Sequence, residues 1–245
     1  MDTMTAGRLL TAGARELKNS LEALAERHLG ITMDKAAQTV PWGGQLAPAQ
    51  LRYAAEDVAH LHALHDALQK ELDAAGLSDV YRLEMELLPY IVDMEERGFP
   101  VDADQLRSHL AAALRGSEEA AAQLRTLFGN PLLNPASVPQ LKAALAAKGI
   151  ALDSTRESSL RESDDQTYIP QILAHRAAAK RASMAEGLLE AVAPDGRIHA
   201  RFEPMGTDTG RFSSRDPNLQ NIERGPIRAA FAAPAGHALV VADYS

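Results

Sequence analysis

Residues 206–245 read GTDTGRFSSRDPNLQNIERGPIRAAFAAPAGHALVVADYS, and this stretch decides how the rest of the chain is understood. It closes on an apolar run, Ala238-Leu239-Val240-Val241-Ala242, followed at once by a carboxylate, Asp243. A short Val-rich run ending in a polar residue predicts a buried strand. The end of such a strand is a rigid place to display an acid. Ahead of the run come Thr209-Gly210-Arg211, Ser213-Ser214, Pro217-Asn218-Leu219-Gln220-Asn221 and Arg228. Arg, Asn and Gln carry donors at fixed angles that suit the groove edges and backbone of nucleic acid. The plainer alternatives are a loop whose Asn and Gln bond their own backbone, and a strand-end acid in solvent.

Working outward from that stretch, Pro194-Asp195-Gly196 signals a turn, and residues 197–202 alternate as one strand. His199 within it has no second His or carboxylate at ligand spacing, so it reads as structural or DNA-contacting. A helix is predicted from Tyr168 to Val192, with Arg176 and Lys180 one turn apart and Arg181 beside them. On an isolated helix this is a solvated basic face. Residues 163–167, SDDQT, read as an exposed loop. A capped helix from Ser137 to Lys148 precedes Gly149, and Asn130-Pro131 and Asn134-Pro135 mark turns. An Ala- and Leu-rich helix follows Asp102, with Gly116-Ser117 offering a break.

Another helix starts at Ser78 or Asp79 and runs to Arg97 before Gly98. Pro48 suits a first helical turn, and a long helix extends from it to about Ala75, with a stripe of Leu51, Ala54, Val58, Leu61, Leu64 and Leu68 and a stop at Gly76. A further helix is expected over residues 17–29 before Gly30. The first residues, through Leu10, show no capping or targeting logic. Tyr53 and Asp57, four apart, share a helix face; alone they read as a surface hydrogen-bonding pair.

The composition bounds the class. Of 245 residues 46% are hydrophobic, enough for a sizeable core, and only 4% are aromatic, which favours helices over a sandwich or barrel. The fold expected is mainly α with a small β component (α+β). Without cysteine there is no disulfide framework and no thiolate metal site. No apolar run reaches the ~18 residues of a membrane span, so a soluble, cytoplasmic protein is expected. The net charge is -8, yet residues 171–237 carry nine Lys/Arg against seven Asp/Glu, a basic segment on an acidic chain. Nucleic-acid attraction needs only the contacted surface to be positive. No Walker-type loop, zinc pattern, Ser-His-Asp arrangement or fixed-period repeat is present.

The ordered series T-x-T-G-R-x-S-S-x-x-P-N-L-Q-N-I, then R-x-x-F, then a hydrophobic strand ending D-Y-S resembles the start of the palm in family A DNA polymerases, the bacterial DNA polymerase I type. Glu223 departs from it, standing where the family usually has Pro. Residues 85–102, MELLPYIVDMEERGFPVD, resemble the start of the polymerase region, and NPASVPQLKAALAAKGI an element of its thumb. Residues 24–68 resemble the closing part of the DEDD-type 3′–5′ exonucleases, the group that includes ribonuclease D. The domains implied are 1–77, the C-terminal part of an exonuclease; 78–195, thumb; and 196–245, the start of the palm.

The resemblance also implies roles. Asp243 matches the family's first palm aspartate, and the backbone carbonyl of Tyr244 adds an oxygen; two Mg2+ ions would be held there for nucleotidyl transfer. In the exonuclease the residue matching Tyr53 orients the attacking water and that matching Asp57 binds metal. Arg176 and Lys180 would face duplex backbone. Arg211, Asn218, Gln220 and Asn221 would lie along the minor groove near the growing end, and Arg228 would meet a phosphate, while Phe231 reads as core. Partners would be primer–template DNA and deoxynucleoside triphosphates, in DNA replication and repair, with no membrane and no oligomer implied. The family's further carboxylates and fingers helix have no counterpart here, so the chain is expected to be a fragment that alone neither polymerises nor degrades DNA. The alternatives are a non-catalytic duplex-binding remnant and a ribonuclease D-like nuclease with a helical tail; the latter leaves residues 206–245 unexplained.

Overall fold

Alanine and leucine at helical spacing dominate the chain, and the computed structural model is accordingly 56% helical with two small antiparallel sheets. It describes every residue except 1, 13, 15, 35–37 and 243–245. In chain order the elements are α1 (Thr3–Leu10), α2 (Leu21–Leu29), α3 (Pro48–Ala59), α4 (Leu61–Ala74), α5 (Ser78–Arg97), β1 (Phe99–Pro100), α6 (Ala103–Phe128), α7 (Val138–Ala147), α8 (Glu157–Arg161), α9 (Ile169–Glu190), β2 (Arg197–Ile198), β3 (Arg201–Glu203), β4 (Ser213–Arg215) and α10 (Pro226–Ala229). A single 3-10 turn spans Leu219–Asn221. The mainly α class with a small β component is the one expected, the helices from composition and the β part from the strand patterns and the family resemblance. No helix among the described residues is long and apolar enough to cross a membrane.

Two compact units divide the chain: Met1–Arg97 with Ala200–Gln220, and Gly98–His199 with Asn221–Ser245. In the first, Ala6, Leu9, Leu24, Leu64, Leu68, Leu72 and Tyr81 form the core. The chain start does carry a cap: Asp2 Oδ1 accepts from the Thr5 amide at 2.7 Å, and the Tyr81 hydroxyl donates to the Asp2 carbonyl at 3.2 Å. The single helix expected after Pro48 is broken at His60, where neither Gly nor Pro marks the sequence. Its predicted stripe divides at the same point. Leu64 and Leu68 are wholly buried, whereas Leu51 and Val58 are 55% and 60% exposed. Periodicity identified the helix but not what covers it.

In the second unit Leu124, Phe128, Leu133, Leu141, Leu145, Leu160, Ile169 and Ile172 make the core. Phe128 stacks on Tyr168 with ring centres 4.6 Å apart. The break offered at Gly116-Ser117 does not occur. A Cβ on Gly116 would lie 3.9 Å from that of Ala178, so the glycine faces α9 at a close approach and α6 runs straight through. Ser137 sits at the start of α7 without a side-chain cap bond; instead Gln140 Oε1 accepts from the Asn134 amide at 2.9 Å. Residues 163–167 are more than an exposed loop, because Asp165 Oδ2 accepts from the amides of Tyr168 and Ile169 at 2.6 and 2.8 Å and so caps α9.

The strand expected over residues 197–202 is two. β2 pairs antiparallel with β1 (Phe99↔Ile198), and β3 with β4 (Phe202↔Ser214), leaving His199 and Ala200 between them. His199 does have a carboxylate partner: its Nε2 lies 3.1 Å from Asp195 Oδ2, four residues back. Its ring also packs over Gly98, where φ is +59° and a Cβ would sit 2.7 Å from two ring atoms. That supports the structural reading of His199.

The buried strand expected over Ala238–Ala242 is not formed. Val240 and Val241 are 91% and 87% exposed, and no ladder engages this run among the described residues. A strand needs a neighbour for its amides and a face to bury; apolar composition supplies neither.

Two measurements test this packing. Leu124→Ala removes a fully buried side chain, and its denaturation midpoint in urea should fall by the equivalent of about 2–5 kcal/mol. His175 on α9 is 8% exposed, and burial, helped by the Arg176 and Arg125 guanidinium groups and opposed by Glu118, holds its pKa below the ordinary histidine value. A base whose folded pKa is depressed resists protonation, so its contribution is present above the unfolded value of about 6.5 and is lost as pH falls through it. His175→Gln should therefore lose less stability than the parent between about pH 7 and 5. Identical pH profiles for the two proteins would contradict the assignment.

Candidate nucleic-acid interface

The hairpin of the first unit carries the TGR segment. Between β3 and β4 the loop turns tightly, and a Cβ on Gly206 would come within 2.0 Å of Ser213 Oγ, so only glycine fits. The Thr207 hydroxyl accepts from the Arg211 amide at 3.0 Å and lies 3.2 Å from the Arg211 carbonyl, to which it donates. The Arg211 backbone is thus fixed from one side chain while the guanidinium stays exposed.

Glu203 anchors the base of the same hairpin. Its carboxylate takes Arg215 Nε at 2.8 Å and Arg8 of α1 at 3.6 Å, and Arg8 also donates to the Pro204 carbonyl at 3.3 Å. Arg215 completes the chain with Asp216 at 2.7 Å. Sequence reasoning missed this network. Nothing near Arg8 marks a partner almost two hundred residues away, and Glu203 and Arg215 align only once the strand register is known.

Beyond β4, Ser214 is 3% exposed; its hydroxyl accepts from the Leu219 amide and donates to the Pro217 carbonyl, both at 3.3 Å. This knot presents Asn218 and Gln220 outward. Asn218 Oδ1 accepts from the Gln220 amide at 3.0 Å, so part of its capacity serves the loop itself, as the plainer reading of these residues expects. The Asn218 amide nitrogen and the Gln220 side chain face solvent.

On α3, Tyr53 and Asp57 are half-buried on one face. The Tyr53 ring lies 5.8 Å from that of Trp42, tilted by 55°. Tyr53 lines a groove of 430 Å³ with Asp34, Arg52 and Glu56; Asp57 is not among its walls.

In the second unit, α9 presents its basic residues. Arg176 is half-buried and donates to the carbonyl and, at 3.2 Å, to the hydroxyl of Thr155, tying α9 to the segment before α8. Two of its five donors are spent in this way. Lys180 is exposed and paired with Glu223, an interaction that raises the lysine pKa and lowers that of the glutamate. Asn221 and Arg228 are exposed, the latter on α10, whose Ile227 is buried. Phe231, read as core, is half-buried, edge-on to Phe99 at 5.5 Å.

Asp243 and Tyr244 lie outside the described residues. Among the described residues no group of three or more His, Asp or Glu comes together to hold a metal. Asp57 alone is one carboxylate and does not make a cage.

These features are those of a helical protein with a rigid, donor-rich hairpin and a basic helix face. Residues 103–245 match the model of DNA polymerase family A, and residues 1–73 match that of a 3′-5′ exonuclease. The chain belongs to DNA polymerase family A. It is 31% identical to DNA polymerase I of Aquifex aeolicus over all of its length and 46% of that protein. With the DNA polymerase I of Pseudomonas aeruginosa it shares 32% identity over its whole length and 29% of that protein. For Treponema pallidum the value is 35% over 80% of this chain and 21% of the other. Among solved structures, the POL domain of Pol1 from M. smegmatis in complex with DNA primer-template and dNTP superposes with a TM-score of 0.82 at 29% identity, covering 97% of this chain and 42% of that one. The chain thus spans less than half the length of these relatives.

The hairpin can be tested without any ligand. Thr207→Val removes both hydroxyl bonds to Arg211 at constant shape, each worth about 1 kcal/mol, and the Arg211 amide should exchange with solvent several-fold faster. Unchanged exchange would show that the loop is held by something other than Thr207.

Proposed function

We propose that this chain takes part in template-directed DNA synthesis by gripping primer–template DNA. Lys180 and Arg176 meet the backbone, Arg211, Asn218, Gln220 and Asn221 meet the minor groove, and Arg228 meets a further phosphate. The observation that carries this reading is family membership together with the outward display of Arg211, Asn218, Gln220 and Lys180 from fixed backbone. Donors in the minor groove meet nearly the same acceptors on every correct pair, so they monitor pairing without choosing a sequence. Backbone contacts position the duplex.

The domains are read as 1–77, exonuclease-like; 78–195, thumb-like; and 196–245, palm-like. Nucleotidyl transfer joins a 3′ hydroxyl to the α-phosphate of a deoxynucleoside triphosphate with loss of pyrophosphate, and metal-bridging carboxylates support it. Asp243, with the Tyr244 carbonyl, is the candidate holder of Mg2+ for that reaction. Tyr53 and Asp57 are the candidates of the exonuclease, as water-orienting group and metal ligand. These four rest on matching motifs; Arg211, Asn218, Gln220 and Lys180 have their exposure in support as well. A cytoplasmic, nucleoid-associated location goes with the role.

The test is binding of a labelled primer–template at several salt concentrations. Each phosphate contact contributes a slope of about 0.9 in log affinity against log salt, so Arg176→Ala with Lys180→Ala should lower the slope by nearly 2. Lys180→Ala alone should weaken binding and leave stability unchanged. Arg176→Ala should also lower the unfolding midpoint, because Thr155 loses its partner. Absence of duplex binding at low salt would overturn the proposal.

A further inference from the structure

The loop following the 3-10 turn lays the Glu223 carboxylate on the Lys180 ammonium. Arg181 stands close enough to act on the same carboxylate. Glu223, Arg181 and Arg224 also line, with His109, a groove of 270 Å³ whose floor includes Ala113 and Ile227. The paired side chains are 64% and 50% exposed, so the contact lies open at the surface. Exposed ion pairs contribute little to folding, and neither α9 nor α10 needs this one to stand. Its consequence is electrostatic. A carboxylate oxygen on the lysine takes one of its three donors, one that a phosphate oxygen could use, and it adds a negative charge where DNA would approach.

We propose that Glu223 is an intramolecular stand-in for a DNA phosphate: it holds Lys180 until duplex backbone displaces it, and so sets the affinity of this surface for DNA. The inference rests on Lys180 being a backbone contact, as proposed above. Displacement exchanges one ion pair for another and leaves the freed carboxylate beside a phosphate. A neutral side chain at the same position would carry no such penalty. Gln is the informative replacement, since it keeps the size and a hydrogen-bond acceptor for Lys180 while removing the charge.

The experiment measures fluorescence anisotropy of a fluorescein-labelled hairpin duplex with a single-stranded template overhang. It compares the 245-residue protein with Glu223→Gln, Lys180→Ala and the double variant. Glu223→Gln should bind at least about threefold tighter at low salt, with the gain shrinking as salt rises. In the Lys180→Ala background the same change should alter affinity by less than about twofold, because the lysine it competes for is gone. A silent Glu223→Gln in a protein whose binding depends on Lys180 would sink this inference and leave the proposed function standing. An equal gain with and without Lys180 would also overturn it, since that is general repulsion and not displacement. If neither the parent nor Glu223→Gln binds the duplex at low salt, with helix content unchanged by circular dichroism, the proposed function fails and this inference with it.

Discussion

The close approach of α6 and α9 is the contact on which the second unit depends. Helices of 26 and 22 residues, about 39 and 33 Å long, lie together through small side chains. Gly116 faces Ala178, and Ala113, Ala120, Ala182 and Ala185 are buried. Small residues let the two backbones approach. Where α6 ends and α9 begins, Leu124, Phe128, Ile169 and Ile172 gather α7 and α8 into one core. With its alanine face committed, α9 turns Lys180 and Arg181 outward. The basic surface is thus a product of the packing: the residues that hold the helix leave its charged positions no other direction.

Rigidity is achieved differently in the first unit. The hairpin is short, three residues a side, and a hairpin of that size is not stable by itself. It is held by polar links. The Glu95 carboxylate on α5 accepts from the Phe202 amide at 2.6 Å, while Glu203 joins Arg8 to Arg215. Ser214 ties the following turn from beneath. The DNA contact proposed for Arg211 gains from this arrangement, because less order would have to be imposed on binding.

Much of the helical scaffold was legible from residue spacing. Gly30, Gly76 and Gly98 stand just past helices, and α6 follows Asp102, which caps it as an N-cap acid should. Spacing failed wherever the answer lay in a partner distant along the chain. The α3 stripe has the right period and no cover, and Gly116 reads as a break until Ala178 is seen opposite it. Ala238–Ala242 has the composition of a strand without a ladder. Residues 197–202 alternate smoothly, yet their two halves join different sheets. The donor-rich segment 209–221 was legible as a set because side-chain chemistry is local. Its supports, Arg8 and Glu203, were not, and neither was the pairing of Lys180 with Glu223, since electrostatic partners follow from the fold and not from proximity in sequence.

The most direct measurement of the central claim is the structure of this chain bound to a primer–template duplex. A backbone phosphate is expected within hydrogen-bond distance of Lys180 Nζ, with Glu223 released, and the Arg211 and Gln220 side chains at minor-groove acceptors. A duplex bound elsewhere, with Lys180 still paired to Glu223 and the hairpin facing solvent, would contradict it.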